Sequence, residues 1–261
     1  MAAEQVHGRA GLRPEHGPLF LVVGVFDGLH RGHAYLLEHL RYEGRARDAR
    51  PAVVTFDAHP DAVLTGHAPP LLMDPDERLA RLAEAGVEVV VIEHFDDALR
   101  RTEYDAFVEG IASRTAISGF LMTPESAFGH ERRGTPEALA ALGERAGFDV
   151  VVVPPFALDG RDVRSSEIRA AIASGDLATA QRLLGRPYGV SGRPAGEGRL
   201  EFPMPVSLPP PGTYRVAVEA VADRVDGGPL ATARVTASDV RLDGARPAQP
   251  VRVVFVDASS G

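Results

Sequence analysis

The sequence predicts an α/β protein, a doubly wound and mostly parallel sheet followed by a small all-β domain. Three observations carry that expectation. Over the first two thirds of the 261 residues, short apolar runs alternate with segments of helical periodicity, the pattern of strands covered by helices on both faces. The helical segments carry start and stop residues at the appropriate ends. Beyond residue 186 glycine and proline become dense and the apolar runs stay short, as in strands joined by turns.

Taken in order, strands are expected at residues 19–25, 52–56, 87–92, 116–121 and 148–153, each too brief for a buried helix. Leu36, Leu37 and Leu40 mark the first helix. Asp74-Pro75 followed by Leu79, Leu82 and Gly86 supplies an N-cap, a first-turn proline and a closing glycine; Thr135-Pro136, Leu139, Leu142 and Gly147 repeat the formula. A helix runs from Ser165 through Ala171 and Ile172 to Gly175, and a second from Asp176-Leu177 to Leu184-Gly185. The tail reads as strands at 213–221, 230–242 and 251–256. In a doubly wound sheet, ligands bind beyond the carboxyl ends of the strands.

Composition narrows the chemistry. There is no cysteine, which excludes disulfides, thiolate metal sites and cysteine nucleophiles. There is also no lysine, which excludes a Walker A loop and Schiff-base catalysis and leaves anion recognition to arginine, histidine and backbone amides. The net charge of −8 argues against a nucleic acid or an anionic membrane as main partner. Met1 to Pro18 lacks the apolar core of a signal peptide and no apolar run reaches membrane-spanning length, so a cytoplasmic address is expected.

The most informative stretch is Gly24-Val25-Phe26-Asp27-Gly28-Leu29-His30-Arg31-Gly32-His33, which joins the first expected strand to the first helix. A helix N-terminus at such a turn directs free N–H groups and the positive end of its dipole at an anion. Gly32 allows close backbone approach, and His30 and His33, one helical turn apart, can both donate to charge growing on a phosphate. Asp27 can instead brace the turn by accepting backbone N–H bonds.

These residues resemble the adenylyltransferase module of bacterial bifunctional riboflavin kinase/FAD synthetases, whose signature reads Gly-x-Phe-Asp-Gly-x-His-x-Gly-His. Two further segments carry the resemblance. Thr55-Phe56-Asp57-Ala58-His59-Pro60 matches a Thr-Phe-x-x-His-Pro segment, although a strand followed by a proline turn with a solvated histidine would read the same. Arg164-Ser165-Ser166-Glu167-Ile168-Arg169 matches a Ser-Ser-x-x-Ile-Arg signature, although plain N-capping with an exposed arginine would also satisfy it. Leu184-Gly185-Arg186-Pro187-Tyr188 resembles the segment that links synthetase to kinase. The resemblance implies a Rossmann-like HxGH nucleotidyltransferase domain over 1–186 and a truncated riboflavin-kinase-like β-barrel domain over 187–261.

The activity implied is attack of the FMN phosphate on the α-phosphorus of ATP, giving FAD and pyrophosphate. His30, His33 and Arg169 would be catalytic. Gly24, Phe26, Asp27, Gly28, Gly32, Ser165 and Ser166 would bind the nucleotide, with a serine hydroxyl donated to a phosphate. Phe56, His59, Pro60, Phe128 and Arg132 would line the acceptor site. Mg²⁺ would bridge triphosphate oxygens, with no protein ligand assigned, and a homo-oligomer is left open. The chain also departs from the family pattern. Glu201-Phe202-Pro203-Met204-Pro205-Val206 stands where Gly-x-Pro-Thr-Ala-Asn would contact Mg-ATP, so riboflavin phosphorylation is not expected. Thr123-Pro124-Glu125-Ser126-Ala127-Phe128-Gly129 keeps only the last two residues of Gly-x-Asp-Phe-x-Phe-Gly. That leaves open a nucleotidyltransferase, using ATP or CTP, for another phosphorylated metabolite, or a non-catalytic flavin or nucleotide binder.

Overall fold

The computed structural model describes residues 2–221, 228–244 and 247–258. The elements run β1 (Glu4–His7), β2 (Leu19–Val23), α1 (Arg31–Ala46), β3 (Arg50–Phe56), α2 (Asp61–Leu64), α3 (Pro75–Glu84), β4 (Val89–Glu93), α4 (Asp97–Arg100), α5 (Tyr104–Ala112), β5 (Ile117–Met122), α6 (Pro136–Ala146) and β6 (Asp149–Val152). They continue with β7 (Ala157–Leu158), β8 (Arg161–Asp162), α7 (Ser165–Ala173), α8 (Leu177–Leu184), β9 (Gly189–Pro194), β10 (Arg199–Glu201), β11 (Gly212–Ala220), β12 (Leu230–Val235), β13 (Val240–Asp243) and β14 (Val251–Ala258).

Two compact units emerge, and neither is contiguous. One comprises Met1–Phe26, Gly32–Pro69 and Leu79–Asp162; the other comprises Asp27–Arg31, Pro70–Arg78 and Val163–Gly261. The first contains a six-stranded, wholly parallel sheet in the order β1-β4-β3-β2-β5-β6. The chain order reverses between β2 and β5, the topological switch point of a doubly wound sheet. Leu19, Leu21, Ala52, Val54, Val89 and Val91 are almost fully buried, as both-face covering of a parallel sheet demands, and Phe107, Ile111, Phe120 and Leu139 fill the space beside them.

Helix punctuation follows the local chemistry. Asp74 Oδ1 accepts the N–H groups of Asp76 and Glu77 at the start of α3. Thr135 caps α6 through Ala138 N–H, and Gly147 closes it in the left-handed region at φ 79°. Asp176 and Gly185 do the same for α8.

The second unit holds a closed antiparallel barrel, β10-β13-β12-β11-β14-β9. Three sequence expectations are corrected here. The first expected strand ends at Val23, because Phe26 turns into the left-handed region at φ 55°. The run 230–242 is two strands, with Thr236 N–H bonding the Asp239 carbonyl between them. The edge strand β1 and the short barrel strands β9 and β10 were not expected; their few residues carry too little periodicity to register. Among the described residues no helix is long and apolar enough to cross a membrane.

Candidate active site

The turn after β2 has an unusual backbone. Phe26, Gly28 and Leu29 have φ of 55°, 78° and 38°. Left-handed geometry is rare for a bulky residue, and persists only where the surroundings over-determine it. Gly28 is obligatory for a second reason. A Cβ there would lie 2.9 Å from Leu72 Cδ1 and 3.0 Å from its Cβ. Phe26, fully buried, packs its ring 5.1 Å from that of His33, which stands half-buried on the first turn of α1, next to Gly32. A side chain at Gly24 would press on the Phe26 ring at 3.0 Å.

In the second unit, Asp27 is the hub. Its carboxylate accepts Leu72 N–H on both oxygens, at 3.0 and 3.1 Å, and pairs with Arg169, while its carbonyl accepts the Ser165 hydroxyl at 3.1 Å. Burial pushes the Asp27 carboxyl up; the Arg169 guanidinium and the Leu72 N–H oppose that rise. Asp27 therefore braces the turn, as its short polar chain allowed. The Ser165 hydroxyl, expected to serve a phosphate, donates to the Asp27 carbonyl in this structure, and Ser166 is exposed at the second position of α7. Arg169 Nε donates to the Pro70 carbonyl at 2.8 Å, so its guanidinium plane is fixed at two points and its Nη1 makes no hydrogen bond among the described residues.

His30 is buried, at 5% exposure. Burial, reinforced by Arg186 and Arg169, pushes its imidazole down to about 4. It is neutral near pH 7. Arg186 spans two turn carbonyls, donating to Gly28 O at 2.6 Å and Leu29 O at 3.0 Å.

Within the first unit lies a cavity of about 790 Å³ at the carboxyl ends of β2, β3 and β5, bounded by Gly24 and Val25, Phe56, and Met122 and Thr123. Phe56, His59, Pro60, Phe128 and Arg132, the five expected acceptor residues, all line it. Its walls are aromatic: Phe56 meets Phe95 edge-on at 5.2 Å, and Phe128 packs against Phe107 and Phe120 at 5.5 and 6.0 Å. His59 is fixed by the Asp61 N–H on Nδ1, at 3.2 Å. The loop bearing Phe128 and Arg132 is tight. Phe128 and Gly134 exchange backbone hydrogen bonds, Glu131 and Arg132 are left-handed, and a Cβ at Gly129 would fall 2.6 Å from Tyr104 N. Arg132 donates to the Glu125 carbonyl at 2.9 Å.

Sequence reasoning missed the groups that hold the turn. Leu72 acts through its backbone N–H, which leaves no trace in residue identity. Arg186 was visible in a recognised segment, and an arginine directly after a helix-closing glycine is the signal that could have singled it out. A third group is the strap beyond β10. Leu71 N–H donates to Pro205 O and Ser207 N–H to Leu71 O, both at 2.8 Å, and the Ser207 hydroxyl donates to Pro70 O at 3.2 Å.

Comparison with known proteins shows the family of the chain. A family model described as FAD synthetase matches residues 12–167. A bifunctional riboflavin kinase/FMN adenylyltransferase of Haemophilus influenzae is 34% identical over 175 residues, covering 66% of this chain and 57% of the relative. The chain thus spans less than two thirds of that relative's length. A protein of the same description from Bacillus subtilis is 26% identical over 234 residues, covering 83% of this chain and 72% of the relative. Among solved structures, one titled macrolide-efflux protein from Streptococcus pneumoniae superposes with TM-score 0.79 at 22% identity over 99% of this chain and 91% of its own, a likeness of fold.

Two expectations follow. Gly28→Ala should lower stability by about 1–3 kcal/mol in chemical denaturation, through strain and the Leu72 clash, and by more than Gly66→Ala, where φ is also positive but no atom lies within 4 Å. The second concerns pH. Because the His30 imidazole is depressed, the unfolded chain takes up its proton first as pH falls from the ordinary value near 6.5. Stability contributed by neutral His30 is therefore complete above that value and lost on the way down to about 4. Asp27, with its carboxyl pushed up, acts in the opposite sense. Melting temperature measured from pH 7.5 to 4 should fall more in the parent protein than in His30→Gln; parallel curves would reject the burial of a neutral imidazole.

Proposed function

This chain belongs to the FAD synthetase family, and from that premise we propose that it transfers an adenylyl group from ATP to FMN, releasing pyrophosphate, without phosphorylating riboflavin. The observation that carries the reading is the convergence of all five expected acceptor residues on one aromatic cavity at the switch point of the sheet. A volume of about 790 Å³ suits a cofactor-sized ligand, flat phenylalanine faces suit a planar ring system, and His59 and Arg132 suit its phosphate.

The nucleophile is an FMN phosphate oxygen, already anionic near neutral pH, so no general base is required. It attacks the α-phosphorus in line; the new P–O bond forms as the bond to the pyrophosphate oxygen breaks. A magnesium ion would accompany ATP, with no side chain here assigned to hold it, and would supply neutralisation of the triphosphate charge. The chain's residues align the reactants and meet developing charge. His30, neutral at pH 7, offers an N–H to the α-phosphoryl oxygens, as does His33, with the amides at the start of α1. Arg169 holds the leaving pyrophosphate through Nη1, its plane being set by Asp27 and Pro70. At the start of α7, Ser165 and Ser166 contribute through backbone N–H groups.

The kinase-loss part of the reading rests on the strap. Where the family signature has threonine and asparagine, this chain has Met204 and Val206, and the backbone of Pro205 and Ser207 is engaged with Leu71. The division at residue 186, the cytoplasmic address and the absence of nucleic-acid partners belong to the same reading. A second acceptor chemistry is favoured by one observation: the cavity wall carries Thr123 and Ser126, hydroxyls 2.6 Å apart, in the segment that departs from the family pattern.

Purified protein supplied with Mg-ATP or Mg-CTP and either FMN or riboflavin should release pyrophosphate and form FAD from ATP plus FMN, and form no FMN from riboflavin. FMN production would overturn the kinase-loss argument; turnover only with another phosphate ester would promote the second acceptor; nucleotide binding without pyrophosphate release would reject catalysis. His33→Ala should lower kcat by about 10²-fold or more with the fold intact by circular dichroism.

A further inference from the structure

We propose that Arg186 is a positioning residue for this site: its guanidinium fork holds the carbonyls of Gly28 and Leu29 and so fixes the backbone from which His30 is presented. Only the identity of the phosphate served by His30 rests on the adenylyl-transfer reading; the positioning itself rests on geometry.

Gly28 and Leu29 are buried, so their carbonyls need partners within the protein. Both residues are left-handed, at φ 78° and 38°, and adjacent carbonyls in such a turn do not fall into a helix or sheet ladder. Arg186 supplies one terminal nitrogen to each, at 2.6 and 3.0 Å. A planar fork with fixed donor spacing holds both in a defined geometry; an ammonium, a compact charge on a flexible stem, does not fix their spacing. The fork is itself placed by the end of α8. Gly185 adopts φ 77° with its N–H bonded to Gln181 O, which turns the chain sharply just before Arg186. The next residue after the clamped pair is His30, on which the Arg186 and Arg169 charges both act. Arg186 thus sets the backbone from which the imidazole is presented and adds to the burial that keeps it neutral, without touching substrate.

The test compares Arg186→Lys with Arg186→Ala in the full chain. Both should lose about 10- to 100-fold in kcat, the scale of an ångström misplacement, while KM for FMN stays within about twofold. The His30 ring, followed by NMR titration, separates the two roles. Its midpoint should rise toward the ordinary histidine value in Arg186→Ala and stay depressed in Arg186→Lys, where charge survives but the fork does not. The titration reads the charge alone; amide hydrogen exchange at Gly28, Leu29 and His30, expected to speed up in both variants, reads the loss of the fork even if the parent protein transfers nothing to FMN. Wild-type kcat in the lysine variant, or lowered melting temperature with unchanged kcat in both, would overturn the proposal. So would unchanged amide exchange at Gly28, Leu29 and His30 in both variants. Should that variant not fold, the lysine variant alone decides through kcat.

Discussion

The buried Asp27 carboxylate is the interaction on which the rest of the site depends. A carboxylate in a nearly dry environment is costly unless its lone pairs are met. Here Leu72 N–H and the Arg169 guanidinium meet them, and the same residue's carbonyl takes the Ser165 hydroxyl. One short side chain therefore ties together three sequence segments that are far apart in the chain: the turn at 27–31, the segment at 70–72 and the start of α7. Removing either charge would leave the other buried and uncompensated, a loss of about 3–5 kcal/mol.

The barrel extends this logic. Glu219 and Arg252 face each other in register across β11 and β14, and Arg252 also pairs with Glu77, whose second oxygen accepts the Ser191 hydroxyl. The same segment that begins at Pro70 is thus held at both ends, by Ser207 near its start and by Arg252 and Ser191 at Glu77. Tyr188, buried and bonded to the Ser207 carbonyl, stacks on Phe255 and anchors the strap from the other side. The barrel has a physical role of its own, because its backbone and buried ions hold the segment that holds Asp27.

Much of this was legible in the sequence where side-chain identity carries the physics. The apolar runs of β2 to β6, the caps at Asp74, Thr135 and Asp176, and the glycines at 147 and 185 each announce their conformation, and the residues of the cavity announced themselves through Phe56, His59, Pro60 and Phe128-Gly129. What was not legible depends on the backbone or on distant neighbours. Leu72 donates a main-chain N–H, the Pro205 carbonyl accepts one, and Phe26 and Leu29 take left-handed backbone that neither residue type announces. The hydrogen bond from the Ser165 hydroxyl to the Asp27 carbonyl was not foreseen, because the two residues lie 138 apart in the chain. The barrel strands β9 and β10 are too short for periodicity, and closure of the barrel comes from pairing alone.

The most direct measurement of the central claim is a double-mutant cycle between Asp27→Asn and Arg169→Met, read as unfolding free energy together with adenylyl-transfer rate. If the pair anchors the turn, the two changes should be strongly non-additive, with a coupling of about 1–3 kcal/mol and the double variant little slower than either single one. Additive losses in both stability and rate would mean that Asp27 and Arg169 act independently, and would contradict the account.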